Sequence, residues 1–434
     1  MKLRLAIGVL FVHLGSCSFG QNAWNISSLP DMPEPVSNNA VTAAYCGDSL
    51  CLFSFCGIDS TKAPSGIHLK SWRFNTVSQV WTNLPDVPDV QGKIAASAST
   101  INNLIYVVGG YYVNEDFSEL SSDDIHVFDP ETNTWLDDGA NIPVAIDDHV
   151  YDVWNDSLIF IVTGWSDSQN VRDVQIYNPT LDEWQAGTDL PITNLFPVFG
   201  GSGSIAGDSL YYLGGVNNSF STMSRLRKGN INPEDPTDIE WTVVGESPFG
   251  DFYRCASANY QDRFFFIGGS SDGYNFDGIS YANNQGVDVE YRIVTYYSNW
   301  DYWDEEIIDP INMDLRGLAQ LTETSWVICG GMSDNQIVTN EVLMLEYQPA
   351  SFLIESNDDE IQHVFDLETK VLTINSSNRI STVHILNTNG QLIQPDLTLE
   401  HTSCSINFSA LSKGMYVISV HNESGEKHFP FVNR

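Results

Sequence analysis

The chain has 434 residues, of which 42% are hydrophobic and 17% charged, enough to bury one large core or two smaller ones. It carries 19 Lys and Arg against 56 Asp and Glu, a formal net charge of -37. Nucleic acid is therefore excluded as a partner, because binding its phosphate backbone requires a basic face. Aromatic residues reach 12% and glycines number 32, a composition typical of short strands joined by turns. We therefore expect an all-β protein.

The amino terminus has the pattern of a secretory signal peptide. Lys2 and Arg4 precede an apolar run, residues 5–14, and small residues follow up to Gly20. The run is too short to span a membrane, and no later segment is long and apolar enough for a transmembrane helix. We expect cleavage after Gly20, with lipidation of Cys17 as the alternative. Either route predicts a secreted protein or one on the outer cell surface.

Cleavage would leave six cysteines: Cys46, Cys51, Cys56, Cys255, Cys329 and Cys404. Cys46 and Cys51 flank a four-residue turn, so their side chains can face each other across a hairpin at bridging distance. This pair is the disulfide candidate. The alternative is that the cysteines are small buried apolar residues without covalent partners.

An internal repeat organises the first 350 residues. Apolar strands end in glycine at regular intervals, most clearly at Gly110, Gly164, Gly215, Gly269 and Gly331, which are 54, 51, 54 and 62 residues apart. A degenerate copy ends at Gly57, with Cys56 in place of the first glycine, and the copy at Gly164 has Thr163 there. The repeat therefore has six copies.

The tryptophans follow the same period but are offset from the glycines. Trp-containing phrases that end in proline begin at Trp24, Trp81, Trp135, Trp184, Trp241 and Trp303. The first precedes every glycine copy, and the last glycine copy has no tryptophan after its third strand, around residues 341–347. The segment at Trp24 can therefore supply the missing outer strand of the last unit and close a ring.

Each unit is predicted to be a four-stranded antiparallel sheet, and repetition around an axis protects such sheets from exposed edges. The fold class is therefore all-β, a six-bladed β-propeller over residues 21–351, after a signal peptide at 1–20. Units such as 125–135 and 174–184, with a Phe or Tyr seven residues before Trp, resemble kelch repeats, as in galactose oxidase-like propellers. An insertion at residues 270–288 enlarges the fifth unit between its second and third strands, and we expect it to contribute to a binding rim.

A different alternating pattern occupies residues 352–434 and predicts a small carboxyl-terminal β-sandwich. It includes an expected hairpin turn at Asn389-Gly390. The segment resembles the carboxyl-terminal sorting domain of type IX secretion substrates of Bacteroidetes, through residues 390–393 and the spacing of Leu411, Gly414, Tyr416 and Ile418. The resemblance implies the type IX secretion machinery as a partner. An ordinary β-sandwich appendage is the alternative.

Propellers place the starts of their first strands around one mouth of the central channel. Counting five or six residues from the proline of each tryptophan phrase gives the predicted ligand-binding residues Asn39, Lys93, His149, Phe196, Arg254 and Arg316. Three cations there suggest a site for a carboxylate or sulfate, which Arg can bind through two hydrogen bonds. In the alternative, these cations pair with nearby acids, Asp147, Asp148, Asp251 and Asp314, and stabilise the channel.

No catalytic, metal or cofactor motif is found. The propeller region has three histidines, His68, His126 and His149, and a copper site would need two that converge with tyrosines. We therefore expect a non-catalytic kelch-repeat protein that binds a protein or glycan ligand without a cofactor. The alternative is a carbohydrate-active enzyme that resembles the kelch-type sialic-acid isomerases and uses Arg254, Arg316 and His149.

Overall fold

The structure is a computed structural model. It describes residues 23–299, 301–348, 352–354, 361–366, 369–387, 392–393, 396–409, 411, 414–423 and 425–433. The predicted signal peptide with its cleavage site, Cys17 and the Asn389-Gly390 turn lie outside these residues. The chain divides into two compact units, one of which is Trp24–Tyr347.

The described residues of Trp24–Tyr347 form six four-stranded antiparallel sheets, which confirms the predicted all-β class. In order from first to fourth strand, sheet 1 contains Ala40–Cys46, Ser49–Phe55, Ser71–Asn75 and Val80–Leu84. Sheet 2 contains Ser97–Ile101, Leu104–Val108, Ile125–Asp129 and Thr134–Trp135. Sheet 3 contains Val150–Trp154, Leu158–Val162, Val174–Asn178 and Glu183–Ala186.

The remaining sheets repeat this order. Sheet 4 contains Phe199–Ala206, Ser209–Val216, Arg225–Asn232 and Asp235–Glu246. Sheet 5 contains Ala256–Tyr260, Arg263–Ile267, Arg292–Tyr297 and Tyr302–Ile307. Sheet 6 contains Ala319–Thr322, Ser325–Cys329, Val342–Tyr347 and, as its fourth strand, Trp24–Leu29.

Shorter elements lie between the second and third strands. Three two-stranded hairpins pair Tyr111–Val113 with Glu119–Ser121, Trp165–Ser166 with Gln169–Asn170, and Met332–Ser333 with Ile337–Val338. Single 3₁₀ turns occur at Pro64–Gly66 and Asp334–Gln336. The described residues contain no helix that is long and apolar enough to cross a membrane.

The six sheets are joined in a closed circle by backbone hydrogen bonds. A residue with a positive φ, between 43° and 63°, lies shortly before each first strand or, in sheet 4, at its second position; we call this set the channel ring: Asn38, Ala95, Asp148, Gly200, Arg254 and Asp314. The amides of Ala95, Asp148, Gly200 and Arg254 each donate to the carbonyl of the preceding ring residue, at 2.8–3.3 Å. Leu315 N donates to Arg254 O at 3.0 Å, and Asn38 N donates to Asp314 O at 3.2 Å, which completes the circle.

The glycine pairs allow each sheet to approach the next one closely. A Cβ on Gly109, Gly214, Gly268 or Gly330 would lie 2.2–2.3 Å from a backbone carbonyl oxygen of the following sheet's entry segment. The second glycine of each pair donates its N–H to that same carbonyl, as Gly215 does to Phe252 O at 2.8 Å. The pair is therefore required by close packing and positive φ together.

The amino-terminal strand closes the circle as the offset of the tryptophans predicts. Trp24–Leu29 pairs antiparallel with Val342–Tyr347, from Trp24 opposite Tyr347 to Leu29 opposite Val342. The Trp24 ring is 4% exposed and packs edge-on against Phe265 of sheet 5, with ring centroids 4.8 Å apart. The strand therefore ties sheet 6 to the beginning of the chain.

The second unit contains two antiparallel sheets. The first has the order Phe352–Ile354, Ile361–Asp366, Val371–Ser376, Ser403–Asn407, Asp396–Glu400, and the second has the order Leu392–Ile393, Ile380–Asn387, Gly414–Asn422, Gly425–Asn433. One apolar core includes Leu372 and Ile406 of the first sheet and Ile418 and Val420 of the second, all fully buried. Two sheets that share one core form the predicted small β-sandwich.

Candidate functional site

A buried ion cluster occupies the centre of the channel ring. The Arg254 guanidinium donates through Nε and Nη2 to the Asp148 carboxylate, at 3.2 and 2.5 Å, and through Nη1 to Asp314 Oδ1 at 2.9 Å. All three side chains are at most 2% exposed. This is the alternative arrangement that the sequence left open, in which the cation pairs with acids of the ring.

Arg316 and His149 join the cluster one layer further along the channel. Arg316 Nη1 lies 3.4 Å from Asp148 Oδ1, and Arg316 Nη2 donates to the His149 carbonyl at 2.8 Å. The His149 ring makes a 2.7 Å hydrogen bond through Nε2 to Ser97 Oγ. Two guanidinium groups are thus matched by the carboxylates of Asp148 and Asp314.

Burial controls the protonation of these groups. Burial and the nearby Arg316 charge lower the pKa of His149 well below 6.5, so the ring is neutral. Burial also raises the pKa of Asp314, although Arg254 opposes that shift. For Arg254 burial favours the neutral form, but the charge of Asp148 outweighs it and the pKa is raised. In this cluster the positive charges of the two arginines and the negative charges of the two aspartates compensate one another.

The enlarged segment of sheet 5, residues 270–288, covers the ring; we call it the channel cap. Its Phe276 is 3% exposed and packs with Ile94 and Ala95, on the opposite side of the channel from sheet 5. The Tyr274 ring lies over Arg254, with 5.5 Å between the guanidinium carbon and the ring centroid. The segment that the sequence assigned to a binding rim therefore shields the ion cluster.

The other three predicted residues are also buried, but they do not join the cluster. Asn39 donates through Nδ2 to Ser54 Oγ at 2.8 Å and to Cys329 O at 3.1 Å. Lys93 is 0% exposed, with Nζ 2.7 Å from Asp89 Oδ2. Phe196 is 5% exposed in the apolar core of sheets 3 and 4. Their side chains serve packing and local polar contacts.

Asp89, Asp124 and His126 bring carboxylate and imidazole atoms within 4.8 Å of one another, a grouping with the chemistry of a metal site. The Lys93 ammonium already lies against Asp89, and the Tyr112 hydroxyl lies within hydrogen-bond distance of both acids, at 2.9–3.0 Å. His126 additionally contacts Asp138 through Nδ1 at 2.8 Å. These contacts occupy the ligand atoms and place a positive charge where a cation would bind.

The predicted disulfide pair consists of free thiols in this structure. Ala44, not Cys46, lies directly opposite Cys51 in the hairpin, so the two cysteines are diagonal neighbours on one face. Their side chains are hydrogen-bonded, and that contact lowers the pKa of Cys46 to about 7. The pair is close in space, and its oxidation to a disulfide stays a prediction.

Below the ion cluster the channel widens into a cavity of about 600 Å³. Its lining comes mainly from the first strands and the residues just before them, and includes His149, Tyr151, Asp152 and Arg316. Many of its hydroxyl groups bond the neighbouring sheet, as Ser257 Oγ does to Gly203 O at 2.7 Å. Asp152 accepts the Ile205 N–H at 2.6 Å, and burial raises the pKa of Asp152 to about 6. The cavity is polar, and the hydroxyl and carboxylate contacts named here link adjacent sheets.

An accessible aromatic surface, to which Tyr281 of the cap contributes, lies on the face that carries the two-stranded hairpins; we call this face the upper face. We define the aromatic surface as Trp165, Phe199, Phe220 and Tyr281, whose ring centroids lie 5.0–6.1 Å apart in contacting pairs. Phe220 is 42% exposed and Trp165 and Tyr281 are partly exposed, while Phe199 is buried beneath them. The sequence patterns did not predict this surface, because Trp165, Phe220 and Tyr281 lie in connections of different length between the second and third strands of sheets 3, 4 and 5.

Family comparisons agree with this architecture. The model of the KLHDC2/KLHL20/DRC7 Kelch-repeats domain matches residues 40–269, and the model of the Secretion system C-terminal sorting domain matches residues 368–430. The first match covers more than half of the chain. The chain therefore belongs to the kelch-repeat family, and its fold is a kelch β-propeller followed by a sorting domain.

Individual relatives are distant. Kelch-like protein 35 of Mus musculus is 24% identical over 274 residues, which are 63% of this chain and 40% of that protein. N-acetylneuraminate epimerase of Shigella flexneri is 24% identical over 327 residues, 74% of this chain and 75% of that protein. The solved structure titled "Structure of YjhT" has a TM-score of 0.58 at 15% identity, covering 81% of this chain and all of that one, and shows the fold alone.

The sorting domain indicates where the protein is sent. Its match includes Leu411, Gly414, Tyr416 and Ile418, the positions on which the sequence resemblance rested. Tyr416 and Ile418 are buried in the sandwich core. The protein is thus a secreted kelch-repeat protein, directed to the cell surface or the exterior.

Proposed function

We propose that the protein is a non-catalytic binding protein that holds a protein or glycan ligand on the aromatic surface of its propeller. The observation that carries this proposal is the group of partly exposed rings, Trp165, Phe220 and Tyr281, on a buried Phe199. Contiguous exposed aromatic side chains are typical of interaction sites, because they bury a large area at low cost in conformational entropy. The proposal takes residues 21–351 as the binding domain.

Hydrogen bonds between neighbouring sheets hold this surface in place. Asp167 N donates to Ser121 Oγ at 2.9 Å, and Ser121 N donates to Asp167 Oδ1 at 3.1 Å, so the hairpins of sheets 2 and 3 are locked together. Asn170 Nδ2 donates to Val216 O at 3.0 Å and joins sheet 3 to sheet 4. A preorganised surface loses little entropy when a ligand binds, which supports a recognition role.

The test compares the unmodified chain with a Trp165→Ala, Phe220→Ala double variant on arrays of glycans and of extracellular proteins. We expect the double variant to lose at least tenfold in affinity for the ligand of the parent. Tyr45→Ala is the matched control, since Tyr45 is an aromatic residue, 55% exposed, on the opposite face; we call this the lower face, and it carries the turns between first and second strands. Equal binding by the parent and the double variant would disprove the proposal.

For export we propose cleavage after Gly20 and recognition of residues 352–434 by type IX secretion machinery. The sorting-domain match supports the second step. Mass spectrometry of the secreted protein tests the first, with Gln21 expected as the amino-terminal residue. A lipid on Cys17 in the mature protein would contradict it.

A second candidate function is sugar-acid isomerisation, favoured by the 327-residue similarity to N-acetylneuraminate epimerase. His149 and Arg316 line the channel cavity and are the predicted residues that could contact a substrate entering from the lower end. Against it, all three nitrogens of Arg254 are already hydrogen-bonded to carboxylates. Proton NMR of the anomers of N-acetylneuraminate tests the candidate: we expect no acceleration of their interconversion by the protein, and acceleration would favour the enzyme.

A further inference from the structure

A cleft of about 380 Å³ lies on the upper face between sheets 3 and 4. That volume falls within the range of small-molecule sites, about 300–1,000 Å³. We call it the amide cleft, because side-chain amides dominate its polar lining: Gln169, Asn170, Asn194 and Asn218, with Thr193 beside them. Nothing in the ion cluster or the channel cavity contributes to it.

The chemistry of this lining matches sugar hydroxyl groups. A carboxamide offers both a donor and an acceptor, and a hydroxyl requires both. Asn170 is 4% exposed, its Nδ2 donates to Val216 O, and its Oδ1 has no hydrogen-bond partner among the described residues. A buried acceptor without a donor is energetically unfavourable, so a ligand hydroxyl that donates to it gains affinity.

The charges around the cleft favour a neutral ligand. Arg172 is the cation of its lining, and it already contacts Asp189 Oδ2 at 3.4 Å and donates from Nε to Leu190 O at 2.7 Å. Asp173 adds a further negative charge to the lining. The whole chain has a formal net charge of -37, which repels anions at long range.

The cleft adjoins the aromatic surface. Trp165 is the direct cross-strand partner of Asn170, so the two side chains are on the same side of their hairpin. The Trp165 ring is partly exposed and lies 5.6 Å from the Phe220 ring. Polar amides beside an accessible aromatic face provide hydrogen bonds for hydroxyls and a flat apolar surface for the C–H face of a sugar.

We propose that the amide cleft binds one residue of a neutral glycan, a hexose or N-acetylhexosamine, while the adjoining sugar stacks on Trp165. This inference rests on the proposed binding function and narrows its ligand to neutral carbohydrate. Gln169 and Asn194 supply accessible hydrogen bonds at the cleft mouth, since both are exposed. Asn170 supplies the buried acceptor at its base.

Saturation-transfer-difference NMR on the full chain tests the inference. The probes are the methyl glycosides of glucose, galactose, mannose and N-acetylglucosamine, with N-acetylneuraminic acid as the anionic comparison. We expect saturation transfer from the protein to at least one neutral glycoside. A Gln169→Ala, Asn194→Ala double variant should bind that glycoside at least tenfold more weakly. Gln185→Ala, which removes an exposed amide from the fourth strand of the same sheet, is the control and should bind as the parent does.

Three results would overturn the inference: no transfer to any neutral glycoside, transfer that the double variant retains, or equal transfer to the anionic sugar. A protein ligand that is lost in the Trp165→Ala, Phe220→Ala variant, without sugar binding, would reject the glycan and leave the proposed function standing. No binding in the NMR experiment and none on the arrays would reject both the glycan inference and the proposed binding function. Circular dichroism of each variant excludes loss of binding through unfolding.

Discussion

Arg254 connects the acids of the channel ring, and its contacts define its contribution to stability. It is 1% exposed and is hydrogen-bonded to Asp148 and Asp314 from opposite sides of the channel. Removing one partner of such a buried group leaves uncompensated charge, which costs about 3–5 kcal/mol. We expect Arg254→Met to lower the free energy of unfolding by that amount in urea denaturation.

Arg225 provides the matched control for this substitution. It pairs with Glu246 at 2.7 Å, but the Glu246 side chain is 61% exposed, and such pairs contribute about 0–1 kcal/mol. Arg225→Met should therefore be nearly neutral. If the two variants unfold at the same urea concentration, the ion cluster is not a stabilising element of the ring.

His149 should make stability depend on pH below neutrality. Its folded-state pKa is well below the ordinary value of 6.5, because the ring is buried and Arg316 is nearby. Below pH 6.5 the unfolded chain binds a proton that the folded chain does not, so stability falls as pH falls, by up to about 1.4 kcal/mol per pH unit. Denaturation at pH 7 and pH 5 should show a smaller loss for His149→Gln than for the parent.

The same slope in the parent and in His149→Gln would contradict a neutral buried ring. The Gln side chain keeps a hydrogen-bonding group near Ser97, so the comparison isolates the proton. Asp152 and Asp314 have raised pKa values, so they stabilise the fold as the pH falls. Because both chains retain these two acids, their contribution cancels when the parent and the variant are compared.

Of the six residues predicted for the channel mouth, Arg254 is the one that occupies the ring itself. The prediction counted a fixed distance from a proline, but the loop from the outer strand to the ring varies, from four residues after Pro310 to nine after Pro191. Counting back from the second glycine gives 15 positions to the ring residue for Gly110, Gly215 and Gly269, and 16, 17 and 19 positions for Gly164, Gly331 and Gly57. Neither count is constant over all six sheets, because the loops before the ring and within the sheets differ in length.

At the scale of the element, the glycine pair determines how closely consecutive sheets pack. Gly214 has φ of +73°, and a Cβ there would lie 2.3 Å from Phe252 O. Gly207 in the same sheet has φ of +56° with nothing within 4 Å of its Cβ position. We expect Gly207→Ala to cost about 1–2 kcal/mol, the strain of the left-handed conformation.

Gly214→Ala should cost a further 1–3 kcal/mol or so, because it adds a steric clash with the next sheet. Thermal and urea denaturation of the two alanine variants measure this difference directly. Equal costs would mean that backbone conformation alone, and not the approach of the sheets, explains the glycine pair.

The degenerate repeats show how a different residue replaces the first glycine. Thr163 has φ of +48°, and its Oγ1 donates to Val198 O at 3.0 Å, the carbonyl that a glycine N–H contacts in other sheets. Cys56 has φ of +57°, and the Gly57 N–H that follows it donates to Lys93 O at 3.1 Å. The sequence identified both departures, but their compensation depends on contacts between sheets that no local pattern contains.

For the whole molecule, the repeat period was sufficient to predict the β-propeller and the role of Trp24–Leu29 in closing sheet 6. These features follow from strand patterns and from glycine and tryptophan positions that recur along the chain. The channel cap and the amide cleft could not be predicted in this way. They are formed by loops that occur once, such as residues 270–288, whose partners lie on other sheets.

The most direct test of the account is hydrogen–deuterium exchange of the full chain with and without the ligand that the arrays or the NMR experiment identify. The account predicts protection in the upper-face hairpins of sheets 3 and 4, around Trp165–Asn170 and residues 216–222. The lower-face turns, such as Gly47-Asp48, should exchange at an unchanged rate. Protection confined to the lower face or to the channel strands would contradict the aromatic surface as the binding site.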